Sequence, residues 1–291
     1  MQSTVESTTF TTTGTVAINR IDATFARLKA ANRKAFVAYI MAGDPNLAAT
    51  PDLVWALEEA GVDVVELGVP FSDPLADGVV NQLAAARALE SGTTLPGMFD
   101  AVRNIRAKSN IPIVFMTYLN PLLRYGMGNF SRDAEAAGVD GVLIVDLPPE
   151  ETAGEIGLPA DSMLRNISLI APTSPEARIA SIAGKSSGFI YYVSREGVTG
   201  ARSDVPTSVS ERLEAIRRYS QVPVCVGFGI STPDQARTIA SWADGVIVGS
   251  ALVARVAEWG KPATPGAAEQ PPLPVLLREF ARPLAEAIHS A

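Results

Sequence analysis

Histidine is almost absent from this sequence: its 291 residues include a single one, His289, close to the C-terminus. A position at the end of a helix that we expect to fray is poorly suited to catalysis. Those zinc clusters, Ser-His-Asp triads and Cys-His pairs that need a histidine in the interior of the chain are therefore excluded. Any chemistry must use carboxylates, hydroxyls, lysines or backbone amides instead.

Cysteine is equally scarce, since Cys225 stands alone in the apolar segment VPVCVGFG. One cysteine cannot form a disulfide within the chain, and no histidine lies near it in sequence to activate it as a nucleophile. We therefore expect a buried strand residue. A chain with one cysteine and no secretory signal is predicted to be cytoplasmic.

Two further absences narrow the function. No apolar run reaches the roughly 18 residues that span a bilayer, so we predict no membrane association. The formal net charge is −7 and no basic run is present, which argues against nucleic-acid binding. Residues 1–19 begin with a Thr/Ser-rich stretch that lacks the basic and apolar regions of a secretory signal, and we predict a disordered lead-in.

What the chain does contain is a repeated pattern of a short apolar run, a Gly/Pro/Asp-rich loop and an Ala-rich amphipathic segment. The apolar runs are nearly continuous and not alternating, which is typical of parallel strands that are buried on both faces. Eight such strands are predicted, at 36–42, 62–69, 111–118, 140–146, 167–172, 188–194, 222–229 and 244–250.

Eight strands with intervening helices predict the α/β class and a closed (β/α)8 TIM barrel. A doubly wound open sheet is the alternative, but it usually carries a GxGxxG turn after an early strand, and the sequence has none. Residues 20–33 predict an extra N-terminal helix that caps the bottom of the barrel. We expect one domain over 20–291, with a Pro/Gly-rich surface excursion at 258–272.

The loops after the last two strands predict a phosphate site. Gly227, Gly229 and Ser231 follow the seventh strand, and Gly249 and Ser250 follow the eighth. A glycine turn that leads into a helix leaves free backbone amides and a positive dipole end at the mouth of the barrel. The alternative is that these glycines only permit tight turns.

Two carboxylates lie near the end of the second strand and on the loop that follows it. Glu66 interrupts the apolar run VDVVELGV, where a buried charge is costly unless partnered, so it is a candidate general acid or base. The alternative is a glutamate paired with lysine or arginine in the barrel lining. Asp77 lies on the following loop and could approach the same substrate, whereas Asp73 can shape a turn. Tyr191 and Tyr192 are neighbours on a strand, so at most one of them faces the lumen.

Motifs at these strand ends, in their order and spacing, resemble the tryptophan synthase alpha chain family over about residues 20–257. The motifs are MAGDP, VELGVPFSDPLADG, YLNP, SREGVTG, GFGIS and GSAL. The resemblance implies cleavage of indole-3-glycerol phosphate to indole and glyceraldehyde 3-phosphate, without a metal or organic cofactor in this chain.

The resemblance also implies a role for each matching residue. Glu66 matches the catalytic glutamate, and Asp77 matches the aspartate that binds the indole nitrogen. Tyr191 matches a tyrosine near the glutamate. The remaining matches are phosphate-binding Gly200, Gly229, Gly249 and Ser250, the lid residue Thr199, and Phe228 facing the indole ring.

The family pairs with a beta subunit that holds pyridoxal phosphate, so the resemblance implies an αββα heterotetramer. The sequence departs from the family at Val79, where a proline is usual, and at Asn81, where an apolar residue is usual. These changes leave a stand-alone lyase that releases free indole as an alternative. Other phosphate-binding barrel enzymes would not account for the PFSDPLADG loop. A non-catalytic scaffold would have no reason to retain Glu66 and Asp77.

Overall fold

Eight parallel strands close into a barrel in the computed structural model, which describes residues 18–151, 156–194, 207–227, 229–261 and 270–291. Each strand pairs with its neighbours in sequence, and the eighth pairs with the first. The strands are β1 Ala35–Met41, β2 Val64–Gly68, β3 Ile113–Thr117, β4 Gly141–Ile144, β5 Arg165–Ile170, β6 Ile190–Val193, β7 Val224–Gly227 and β8 Gly245–Val248. The predicted (β/α)8 TIM barrel is therefore confirmed.

Eleven α-helices accompany the strands in the described part of the chain. They are α1 Arg20–Ala30, α2 Thr50–Ala60, α3 Val79–Glu90, α4 Leu95–Arg106, α5 Leu119–Tyr125, α6 Met127–Ala137, α7 Glu176–Lys185, α8 Thr207–Tyr219, α9 Pro233–Ala240, α10 Ser250–Trp259 and α11 Leu273–His289. No described helix is long and apolar enough to cross a bilayer. The predicted lead-in falls largely on residues 1–17 and the surface excursion largely on 262–269, which lie outside the described residues.

The strands are apolar on both faces because both faces are covered. In β2, Val65 and Leu67 pack outward into the main core under the helices, while Val64 faces the lumen. The predicted extra helix is present as α1, and it inserts Phe25 and Leu28 among the lumen residues at the bottom of the barrel. The lower lumen is therefore filled by side chains, as is usual in TIM barrels, whose substrates bind at the upper mouth.

Side chains from the loops at the barrel bottom form hydrogen bonds with the first residues of alternate strands and so fix the position of each strand. Each accepts a hydrogen bond from a backbone amide in the first two residues of the preceding odd-numbered strand. The pairs are Phe36 N to Asp63 (3.0 Å), Ile113 N to Asp140 (2.8 Å), Asn166 N to Ser187 (2.8 Å) and Val224 N to Asp244 (2.9 Å). Fixing the strands at their starts also fixes where their carboxyl ends meet.

The end of α11 is held in place, so the expectation that it frays is wrong. His289 is the last residue of α11. Its Nε2 lies 2.8 Å from Asp63 Oδ2, and its Nδ1 lies 2.6 Å from a guanidinium nitrogen of Arg33. Because the guanidinium can only donate, the ring carries its proton on Nε2. The histidine therefore fastens the last helix to the barrel bottom, far from the strand ends where a substrate can bind.

Candidate active site

Glu66 lies in the lumen, in the middle of β2, in register with Tyr39 of β1 and Val114 of β3. Its side chain is fully buried, and neither carboxyl oxygen has a hydrogen-bond partner among the described residues. The alternative of a structural ion pair with lysine or arginine therefore finds no support in this part of the chain. Burial without compensation raises the pKa of Glu66 to about 8. A carboxyl group that keeps its proton near neutral pH is suited to act as a general acid.

Asp77 stands in different surroundings, on the loop between β2 and α3. Its carboxylate accepts a hydrogen bond from the Tyr118 hydroxyl at 3.1 Å. Burial raises the pKa of Asp77, while the hydrogen bond from Tyr118 lowers it. Tyr118 also accepts a hydrogen bond from the Ala76 amide at 2.9 Å, so one hydroxyl holds both the loop and the carboxylate.

Tyr191 of β6 points into the lumen, whereas its neighbour Tyr192 packs in the outer core. This agrees with the expectation that only one of them faces inward. Gly227 on the adjacent β7 makes room for the inward ring, because a Cβ there would lie 2.8 Å from the Tyr191 hydroxyl. Burial raises the pKa of Tyr191, and the Glu66 carboxylate raises it further. Tyr191 therefore adds a neutral hydroxyl to the site.

Sequence reasoning missed two further tyrosines of this site, Tyr39 and Tyr118. Tyr39 is buried, and its hydroxyl lies over Gly68, where any Cβ would clash with it. Burial is the main cause that raises the pKa of Tyr39, and Asp77 and Glu66 add to it. Tyr118 opens the motif YLNP after β3, a strand end that pointed to the site without singling out the tyrosine. Three phenols thus surround the two carboxylates.

The N-terminus of α10 is the part of the predicted phosphate site that is free to bind an anion. Gly249 is its N-cap residue, without a capping side chain, and Ser250 is its first residue. Gly229 has φ +64° with open space where a side chain would start. The Ser231 amide, in contrast, already donates to Gln235 at 2.9 Å, and Gly227 belongs to β7. Among the described residues, the candidate phosphate site therefore consists of Gly229 and the first turn of α10.

Three expected site residues, Thr199, Gly200 and Phe228, lie outside the described residues. Within the described part of the chain, no group of three or more His, Cys, Asp or Glu side chains is placed to hold a metal ion. Tyr39, Asp77 and Tyr118 line a small cavity of about 10 Å³, roughly the least space that holds one water molecule.

These features define a (β/α)8-barrel enzyme that places two unlike carboxylates and a free helix N-terminus at the carboxyl ends of its strands. The chain belongs to the tryptophan synthase alpha chain family, because the family model of that description matches residues 25–272. The resemblance inferred from the motifs is therefore confirmed.

Individual relatives agree with the family assignment. The tryptophan synthase alpha chain of Geobacter sulfurreducens (strain ATCC 51573 / DSM 12127 / PCA) is 58% identical over 237 residues, which cover 81% of this chain and 89% of the relative. The crystal structure of tryptophan synthase subunit alpha from Legionella pneumophila str. Paris has a TM-score of 0.81 at 36% identity, and the match covers 94% of this chain and 99% of that one. A structure of Mycobacterium tuberculosis tryptophan synthase has a TM-score of 0.81 at 37% identity, with the same coverage. The relatives support the role of a synthase subunit and not that of a stand-alone lyase.

Proposed function

We propose that this chain catalyses the alpha reaction of tryptophan synthase, the retro-aldol cleavage of indole-3-glycerol phosphate to indole and glyceraldehyde 3-phosphate. The reaction is a lyase step in tryptophan biosynthesis, and the chain needs no cofactor of its own. The observation that carries the proposal is Glu66, a fully buried carboxyl group in the barrel lumen that has no hydrogen-bond partner among the described residues. Burying such a group costs stability, and contact with a bound substrate accounts for its presence.

The two carboxylates divide the chemistry between them. Glu66, protonated near neutral pH, donates its proton to the indole ring carbon that bears the glycerol phosphate chain. Asp77, held by Tyr118, accepts a hydrogen bond from the indole N–H and stabilises the positive charge that develops on the protonated ring. The carbon–carbon bond then breaks, the neighbouring hydroxyl of the side chain becomes the aldehyde, and Glu66 recovers a proton from that hydroxyl.

The substrate phosphate binds at the first turn of α10. Gly249 and Ser250 present its free amides, and Gly229 lies on the adjoining loop after β7. Gly200 is proposed to complete this site. Thr199 is proposed to close a lid against Asp77, and Phe228 to face the indole ring. Tyr191 contributes its hydroxyl beside the carboxyl group of Glu66.

A beta subunit is the proposed partner, in an αββα heterotetramer in which the partner holds pyridoxal phosphate. Three large apolar side chains support a docking surface beside the Asp77 loop, since Leu75, Val79 and Leu83 are exposed to 92%, 68% and 56%. Apolar groups exposed together on one loop and helix are typical of an interface. Neither membrane nor nucleic acid is a proposed partner, and a cytoplasmic location stays a prediction.

Glu66→Gln tests the proposal. The amide keeps the shape of the side chain but has no acidic proton to deliver, so indole release should fall by a factor of at least about 100. A matched control is Glu90→Gln, which makes the same change at an exposed position at the end of α3 and should leave the rate unaltered. Substantial activity in the Glu66 variant would show that this carboxyl group is not the acid.

A further inference from the structure

A cleft of about 730 Å³ opens at the bottom of the barrel, between α1 and the loops that lead into β6 and β7. We call it the basal cleft. Its volume falls within the range of small-molecule sites, roughly 300–1,000 Å³. The charged side chains that line it are Lys29, Arg33, Lys34, Arg165, Arg217, Asp22 and Asp244. Five cations and two carboxylates leave the lining with a surplus of three positive charges.

The two carboxylates of the basal cleft are already paired. Asp22 Oδ2 accepts hydrogen bonds from Arg165 Nε at 2.9 Å and from Arg165 Nη2 at 2.5 Å. Asp244 Oδ2 accepts a hydrogen bond from the Val224 amide at 2.9 Å and forms an ion pair with Arg217 at 3.3 Å. The surplus of positive charge therefore belongs to the other three cations of the lining.

These three cations, Lys29, Arg33 and Lys34, form no ion pair with a described residue. Arg33 donates to Nδ1 of His289, an acceptor without charge, and its own Nε is buried without a partner in the described chain. Lys29 lies in the last turn of α1, where a cation suits the helix dipole. Lys34 lies beyond that helix, directly before β1, and is half-buried. The dipole of α1 therefore does not account for the position of Lys34.

Helix dipoles oppose the charge surplus but do not cancel it. Three helices end at the rim of the basal cleft, α1 at Ala30, α7 at Lys185 and α8 at Tyr219. Each C-terminus is equivalent to about half a negative charge. Together they offset about half of the three surplus positive charges of the lining. The cleft therefore keeps a positive potential that attracts an anion.

Two serine hydroxyls add hydrogen-bond donors to the basal cleft. Ser187 Oγ accepts from the Asn166 amide at 2.8 Å, and Ser220 Oγ accepts from the Val222 amide at 3.2 Å. Neither hydroxyl donates to a described acceptor, so each hydrogen can turn toward a ligand. Val222 and Pro223 give the lining an apolar part beside these donors. This combination suits a phosphate group that is attached to a small apolar group.

We propose that the basal cleft is a second anion site, which binds a phosphate monoester with a small apolar group. Lys29 and Lys34 neutralise the phosphate, and the hydroxyls of Ser187 and Ser220 donate to its oxygens. The apolar group of the ligand lies against the Val222 side of the cleft. The inference is independent of the proposed function, because the cleft lies at the opposite end of the barrel from Glu66.

A titration with phenyl phosphate tests the inference, because this probe joins a dianion to an apolar ring. In 1H–15N NMR spectra of the full chain it should shift the amide signals of Gly188 and Gln221 in a saturable manner. These signals report on the basal cleft, whereas those of Gly249 and Ser250 report on the site at α10. Inorganic phosphate should bind at the cleft more weakly than phenyl phosphate, because it lacks the ring.

Lys34→Gln should weaken binding at the basal cleft about tenfold, as expected for the loss of one hydrogen bond between charged groups. The melting temperature should not change, because Lys34 forms no ion pair with a described residue. Lys261→Gln is the matched control, since it makes the same change at an exposed lysine outside the cleft, and it should leave the affinity unaltered.

Two results would overturn the proposal. Phenyl phosphate could shift only the amides of Gly249 and Ser250, which would leave the substrate site as the one that binds phosphate. Alternatively, Lys34→Gln and Lys261→Gln could weaken binding equally, which would show a general effect of charge and not a site. Neither readout needs turnover, so absent indole release by the wild type would leave this test intact.

Discussion

Glu66 and Asp77 lie in one barrel mouth, yet their surroundings differ. Glu66 has no hydrogen-bond partner among the described residues, while Asp77 accepts a hydrogen bond from the phenol of Tyr118. Environments that push two carboxyl groups toward different protonation states assign them different roles, one as an acid and one as an electrostatic stabiliser. The sequence indicated Glu66, because a charged residue inside an apolar strand is conspicuous. The donors to Asp77 were not foreseen, because Tyr118 approaches it from another strand.

A stability measurement tests the raised pKa of Glu66 directly. The folded state keeps the Glu66 proton up to a pKa of about 8, while the unfolded chain loses it near the ordinary value of 4.5. Between these values the native state binds more protons, so this group lowers the free energy of unfolding as pH rises. Glu66→Gln should therefore be more stable than the wild type at pH 8, and its advantage should shrink as pH falls toward 5. Denaturant unfolding at several pH values measures the difference, and a difference independent of pH would contradict the pKa shift.

Among the elements, α1 shows how a segment remote from the site supports it. Its apolar face closes the bottom of the barrel, where the Phe25 ring lies 5.7 Å from that of Phe189. The sequence predicted this segment as an extra helix before the first strand that caps the barrel bottom. The pairing of Arg165 on β5 with Asp22 on this helix, at 2.5 Å, could not be predicted, because the two residues lie far apart in sequence.

Phe25→Ala should lower the free energy of unfolding by about 3–5 kcal/mol, since the change removes a buried ring and leaves a cavity. Lys29→Ala, on the exposed side of the same helix, is the control and should change it little. Urea denaturation measures both. A loss as small as that of the control would mean that α1 does not contribute to the core.

The loop after β2 and the first turn of α3 form the element that is hardest to predict. The PFSDPLADG string identified its family, but its conformation depends on contacts with the end of β3 and with its own helix. At Val79 the sequence lacks the proline that is usual in the family. The side chain of Gln82 restrains the loop through a hydrogen bond to Asp77 O at 2.9 Å, which only the folded geometry makes visible.

At the scale of the whole molecule, the two ends of the barrel attract charges of opposite sign. Its outer helices run opposite to the strands, so their N-termini surround the mouth and their C-termini surround the bottom. The basal cleft, about 730 Å³ in volume, opens at the bottom, and its lining includes the basic residues Lys29, Arg33 and Lys34. Because helix C-termini attract cations, basic side chains gather at this end, and their surplus is the basis of the second anion site proposed there. The substrate phosphate belongs at the opposite end, where the helix dipole favours an anion.

The most direct measurement is indole release from indole-3-glycerol phosphate by the purified chain, alone and with a tryptophan synthase beta subunit. We predict slow release by the chain alone and a sharp increase when the partner docks on the surface formed by Leu75, Val79 and Leu83. Fast release that does not respond to the partner would contradict the role of a synthase subunit. No release under either condition would contradict the assignment of the substrate.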